Sequence, residues 1–145
     1  MNARIPRIIL FGLLALIALS ELVFSNLGTL NGDLAGGAAT LGLTVQQERT
    51  RLLILIMLDA IAGFGAVLAL FGAIRPTGAN LFQYGAGLAA LGYFGYGTYQ
   101  VFAALTQLQA GMRVPVLIVG LVYAFIGAMA WLIGRRAEVV PDSVR

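Results

Sequence analysis

Cysteine, histidine and lysine are all missing from this 145-residue sequence, and only 10% of its residues are charged. Without cysteine there is no disulfide, no iron–sulfur ligation and no thiol nucleophile. Without histidine the usual axial ligand for haem and the imidazole ligand for zinc or copper are gone, so no metal site is expected. Without lysine all side-chain positive charge is arginine, nine residues in total, giving a net charge of +3. These arginines are scattered at helix ends and form no basic face interleaved with aromatics, which excludes a nucleic-acid footprint. What is left for chemistry is carboxylates, tyrosines and arginines.

What the sequence has in excess is apolar surface. Hydrophobic residues make up 60% of it and the mean hydropathy is +0.93. Soluble domains hold roughly half apolar and about a quarter charged residues, so this is an integral membrane protein. At roughly 20 residues per crossing, the chain has room for four helices in one membrane domain spanning 1–145, an all-α four-helix bundle. Lipid is as apolar as the bundle interior, so such helices are held by close packing and hydrogen bonds. Nineteen glycines suit that requirement.

The stretch RLLILIMLDAIAGFGAVLALFGAI, from Arg51 to Ile74, holds one internal charge, Asp59. Thr44 and Gln47 fit a capping box, which places a helix over 45–74, ended by Pro76 and the Thr77-Gly78 turn. Before it, a first helix is expected over 5–27, with Pro6 tolerated in its first turn. A basic start, an apolar run and the small residues Ala18 and Ser20 also describe a signal peptide; the segment is read here as a retained helix. Residues 28–44, with an Asn-Gly and five glycines, read as one long outward loop lying on the bundle or at the bilayer surface. A third helix is expected over 80–107 and a fourth over 114–134, with Pro115 in its first turn and Trp131 near the membrane boundary. Residues 135–145 read as a polar tail.

Four crossings put both ends of the chain on one side. Six arginines (Arg4, Arg7, Arg75, Arg135, Arg136 and Arg145) fall there, against Arg49, Arg51 and Arg113 opposite. By the positive-inside rule both termini are cytoplasmic, in a membrane of the bacterial inner (plasma) type.

At 1.5 Å per residue, Glu21, Asp59, Tyr99, Gln100 and Tyr123 all fall about 9 to 14 Å below the outer ends of their helices. Facing inward, they make one polar layer in which two carboxylates have no cation at their own depth. One or both must then be neutral, or bind a cation or a partner's basic group; the competing reading is that both, protonated, are fixed by hydrogen bonds to Tyr99, Gln100, Tyr123 or a backbone carbonyl. No general-acid partner accompanies them, so no catalytic residue is assigned.

The third helix carries QYGAGLAALGYFGYGTYQVF, rich in glycine and aromatics. Tyr93 and Tyr96, beside Gly92 and Gly95, suggest a slot for contact with a lipid, quinone, carotenoid or chlorophyll-type pigment, although the chain supplies no strong ligand for such a group. The competing reading is that the rings fill space beside the glycines. Gly63 on the second helix, and Gly120, Ala124 and Ala128 on the fourth, read as small-residue packing faces.

Within DAIAGFGAVLALFGAIRP, the rhythm of Asp59, Gly63, Gly72 and Arg75 resembles that of small DoxX-like four-helix membrane proteins. The resemblance implies association with quinone-linked redox systems and membrane redox assemblies. That family tends to carry a lysine in its first helix, where this chain has Glu21 in ALSELV, replacing an intramembrane ion pair with two acids.

The expectation is therefore a non-catalytic accessory or scaffold subunit of a larger membrane complex, respiratory or photosynthetic, packed against other membrane subunits or its own copies and against lipid. The alternative is a small proton- or cation-coupled transporter or channel using Glu21 and Asp59. A component of a quinone-linked membrane oxidoreductase is a third, more remote reading.

Overall fold

A computed structural model describes residues 4–75 and 77–136. No strand occurs among the described residues; the elements are α1 (Arg4–Ser20), a π-helical segment (Glu21–Leu27), α2 (Gly28–Asn31), α3 (Leu34–Leu41), α4 (Val45–Ile74), α5 (Ala79–Thr106) and α6 (Ala110–Arg135). Three helical stretches, Arg4–Asn31, Val45–Ile74 and Ala110–Arg135, are long and apolar enough to cross a membrane. The expected tail lies, beyond Arg136, outside the described residues, as does Pro76.

α5 is as long as these three but carries glycine, tyrosine and glutamine where they carry leucine and isoleucine. Its composition follows from its place: α5 packs against α4 on one side and α6 on the other, while α1 packs along α4. A helix flanked on two sides needs small residues on both flanks. The α4–α5 seam is an antiparallel zipper in which a Cβ on Gly92, Gly65, Gly85 or Gly72 would meet the backbone of Ala62, Ala89, Ala69 or Phe82, respectively, at 2.2 to 2.4 Å. A one-carbon side chain does not fit there. The α5–α6 seam repeats the device, with Gly97 against the Ala124 backbone and Gly127 against that of Phe94.

The end of the bundle that holds Arg4 is tied by long-range contacts. Arg4 Nε donates to the Ala73 carbonyl at 2.9 Å, Arg7 lies over the Phe82 ring, and Phe11 meets Phe82 edge-on with centroids 5.2 Å apart. With Phe11 and Ala18 fully buried, α1 is part of the core.

Residues 28–44 differ from the expected open loop, because most of them are helical. Asp33 caps α3 by accepting from the Gly36 N–H at 2.9 Å, and Gly42, at φ 72°, closes it in the left-handed region that glycine adopts without strain. The segment folds onto the start of α4, with Ala38 buried; Leu41 packs with Ala104, Leu108 and Val116 where α5 gives way to α6, and the Gln109 N–H donates to the Leu41 carbonyl at 3.1 Å. The Thr44–Gln47 capping box is present. α6 begins at Ala110, earlier than expected, so Pro115 sits past its first turn and leaves the Gly111 carbonyl without its helical partner.

Candidate functional site

The buried polar groups gather where the π-helical segment, α4, α5 and α6 meet. Glu21 opens the π-helix and Asn26 lies within it. In an α-helix, residues five apart point roughly 140° away from one another. The wider i→i+5 winding brings them toward one face, and both then turn toward α4 and α5. Asn26, 3% exposed, donates its side-chain amide to Asp59 Oδ2 at 2.5 Å. Asp59 is 1% exposed, and its Oδ1 has no hydrogen-bond partner.

A second chain of contacts ends on Glu21. Arg51 Nη1 lies 3.1 Å from both Glu48 carboxylate oxygens, and Arg51 Nη2 donates to Gln100 Oε1 at 3.2 Å. Gln100 Nε2 donates to the Tyr96 hydroxyl at 3.4 Å, and that hydroxyl donates to Glu21 Oε2 at 3.3 Å. Each donation runs toward Glu21, so each bond polarises the next and the carboxylate is the terminal acceptor. Tyr123 also faces Glu21 and stacks on Tyr96 with centroids 4.6 Å apart.

Of the expected polar layer, Glu21, Asp59, Gln100 and Tyr123 are brought together. Tyr99 is half-buried and packs against the apolar core. The layer is also not free of cations, as the spacing suggested. Arg51, expected at the boundary, is 8% exposed beside Glu48 at 2%, because α3 covers the N-terminal end of α4 and Gly37 approaches the Glu48 carboxylate. The Glu48-x-x-Arg51 spacing was visible in the sequence; its burial depends on tertiary folding. Asn26 was missed because the register change of the π-helix leaves no mark in the apolar pattern.

The slot expected at Tyr93, Tyr96, Gly92 and Gly95 is filled by protein. Tyr93 is fully buried and its hydroxyl donates to the Leu14 carbonyl; Gly92 meets the Ala62 backbone and Gly95 the Leu58 side chain. An open apolar groove of about 690 Å³ lies instead on the side of the bundle between α5 and α6, lined by Tyr84, Leu91, Phe94 and Trp131 among others. Ala128 lines this groove and is exposed, so the packing face of α6 runs through Gly120, Ala124 and Gly127 instead. Gly63 packs against Ala18 and Leu19 of α1. A further groove of about 370 Å³ lies along α1, with Leu13, Leu16 and Ile17 on its walls and Ser20 and Glu21 at one end. No group of three or more acidic side chains that could hold a metal occurs among the described residues.

Family models, curated proteins and solved structures yield no match to this chain.

Proposed function

We propose that this chain is a four-crossing integral membrane protein of the bacterial inner membrane, both termini cytoplasmic, acting as a non-catalytic accessory subunit of a larger membrane assembly. Four crossings follow if α5 also spans, and its 28 residues reach about 42 Å at 1.5 Å each. The observation that carries the reading is the contrast between inside and outside. Inside, the polar side chains are joined by hydrogen bonds that leave only Arg51 Nε and Asp59 Oδ1 unpartnered among the described buried side-chain atoms, and the seams are closed down to backbone contact. Outside, the described grooves open laterally toward the position of lipid and neighbouring subunits. The groove between α5 and α6, walled by rings, suits a lipid tail or a flat quinone- or pigment-like molecule. The α4 resemblance to DoxX-like proteins points toward a redox assembly of the same kind.

Extraction of the full-length protein in mild detergent tests this: stoichiometric partner subunits, released when Asp59→Asn loosens the bundle, are expected. A protein that purifies alone and moves protons in liposomes, with flux abolished by Asp59→Asn, would favour a carrier. That second reading draws on the orphaned Asp59 Oδ1, buried midway along α4.

A further inference from the structure

The polar interior does not balance in charge. Arg51 is matched by Glu48, its ion-pair partner at 3.1 Å, which leaves Glu21 and Asp59 as two further acids. Asp59 is sealed behind Asn26, with Oδ1 unpartnered. Glu21 differs in one respect: it is only half-buried and reaches the end of the groove on α1. That groove belongs to a continuous outward stripe of Ile5, Ile9, Leu13, Leu16, Ser20 and Phe24, spaced by three and four residues and exposed along its length. Such spacing places these residues on one face of the helix, where a second helix can pack along them.

Resting on the accessory-subunit reading, we propose that this stripe docks a transmembrane helix of a different protein carrying a lysine or arginine at the depth of Glu21. Charge complementarity selects this occupant. Glu21 accepts from Tyr96, but no cation pairs with it among the described residues; a carboxylate in hydrocarbon is costly, and a basic side chain from a neighbouring helix relieves that cost on both sides. A second copy of this chain cannot supply it. Copies related about the membrane normal keep each residue at its own depth. Arg7, the nearest arginine on α1, is about 21 Å away along the helix at 1.5 Å per residue; Arg49 and Arg113 stand ten residues, about 15 Å, from Asp59 and Tyr123 on their own helices; and Arg51 is buried against Glu48.

The test uses the full-length protein in lipid vesicles with three fluorescent leucine–alanine transmembrane peptides. These differ only in a mid-depth lysine, glutamine or glutamate. Energy transfer from a donor on the protein is expected to show the lysine peptide binding about tenfold or more tighter than the glutamine peptide, the scale of a hydrogen bond between charged groups, and the glutamate peptide weakest. Glu21→Gln, which still accepts from Tyr96, is expected to abolish the lysine preference. Equal binding of the three peptides to the wild-type protein, a lysine preference that survives Glu21→Gln, or self-association that displaces the peptides would each overturn the proposal. The peptide series on the wild-type protein needs no variant to fold. If native partners co-purify while the lysine peptide shows no preference, this inference fails and the accessory reading stands; if no partner co-purifies, the accessory reading fails.

Discussion

Asn26 and Asp59 meet at 2.5 Å in the middle of the helical bundle, the amide on a π-helical turn and the carboxylate on a regular α-helix. The pair joins the π-helical segment to α4 with both side chains buried, and it exists because the π-turn redirects Asn26 inward. Removing one member leaves the other buried and unsatisfied. Asn26→Ala is therefore expected to destabilise the protein by about 1–3 kcal/mol, read by thermal unfolding in detergent. Replacing both, Asn26→Leu with Asp59→Leu, is expected to recover most of that loss. A double variant as unstable as the sum of the single changes would refute the pairing account.

The ion pair near the N-terminal end of α4 makes a similar prediction at larger scale. Arg51→Met leaves Glu48 charged and covered by α3, a loss of about 3–5 kcal/mol. Adding Glu48→Leu removes the orphaned charge, and the double variant is expected to melt well above the single one. Equal melting temperatures for the two would show that Glu48 has other means of satisfaction.

Two glycines only two positions apart in α5 should behave oppositely. A Cβ on Gly85 would stand 2.2 Å from the Ala69 backbone, whereas one on Gly87 meets nothing within 4 Å. Gly85→Ala is expected to cost about 1–3 kcal/mol or more through forced separation of α4 and α5. Gly87→Ala is expected to be neutral or to gain about 0.5–1 kcal/mol from reduced backbone freedom. Similar melting temperatures for the two variants would show that the seam is not closed to backbone contact.

On α6 the contrast is between Ala124, whose backbone lies against Gly97, and Ala128, which faces the open groove. Ala124→Leu is expected to destabilise, and Ala128→Leu to be tolerated while filling part of the groove. Thermal unfolding separates them, and binding of a lipophilic probe to the groove should fall only in the Ala128 variant.

The sequence was most informative where local chemistry decides the outcome. Thr44 and Gln47 mark the start of α4 through a capping box of two side-chain bonds, and Pro76 follows its end. Glycine content misled at 28–44, because low helix propensity there is overridden by the Asp33 cap, the Gly42 C-cap and docking onto α4. Asp33 ahead of an apolar run and Gly42 beyond it were both readable as end signals. Facing was harder than depth. Glu21, Asp59, Gln100 and Tyr123 converge, while Tyr99 packs half-buried against the apolar core on the side of Arg51 and Glu48, and Ala128 shares the four-residue rhythm of Gly120 and Ala124 while pointing outward. A one-residue difference, Gly127 for Ala128, rotates a helix face by about 100°, and only a packed neighbour selects between them. Nor could apolar periodicity reveal that the first helix is wound as a π-helix between Glu21 and Leu27.

The whole account depends on α5 crossing the bilayer, since only then does the polar cluster lie at membrane depth. The absence of cysteine makes a direct measurement clean: Thr77→Cys and Gln107→Cys, both at exposed positions flanking α5, each report alone. With a membrane-impermeant maleimide added to intact cells, Gln107→Cys is expected to label and Thr77→Cys to label only after the membrane is opened. Labelling of both from the same side would contradict the four-crossing arrangement and everything built on it.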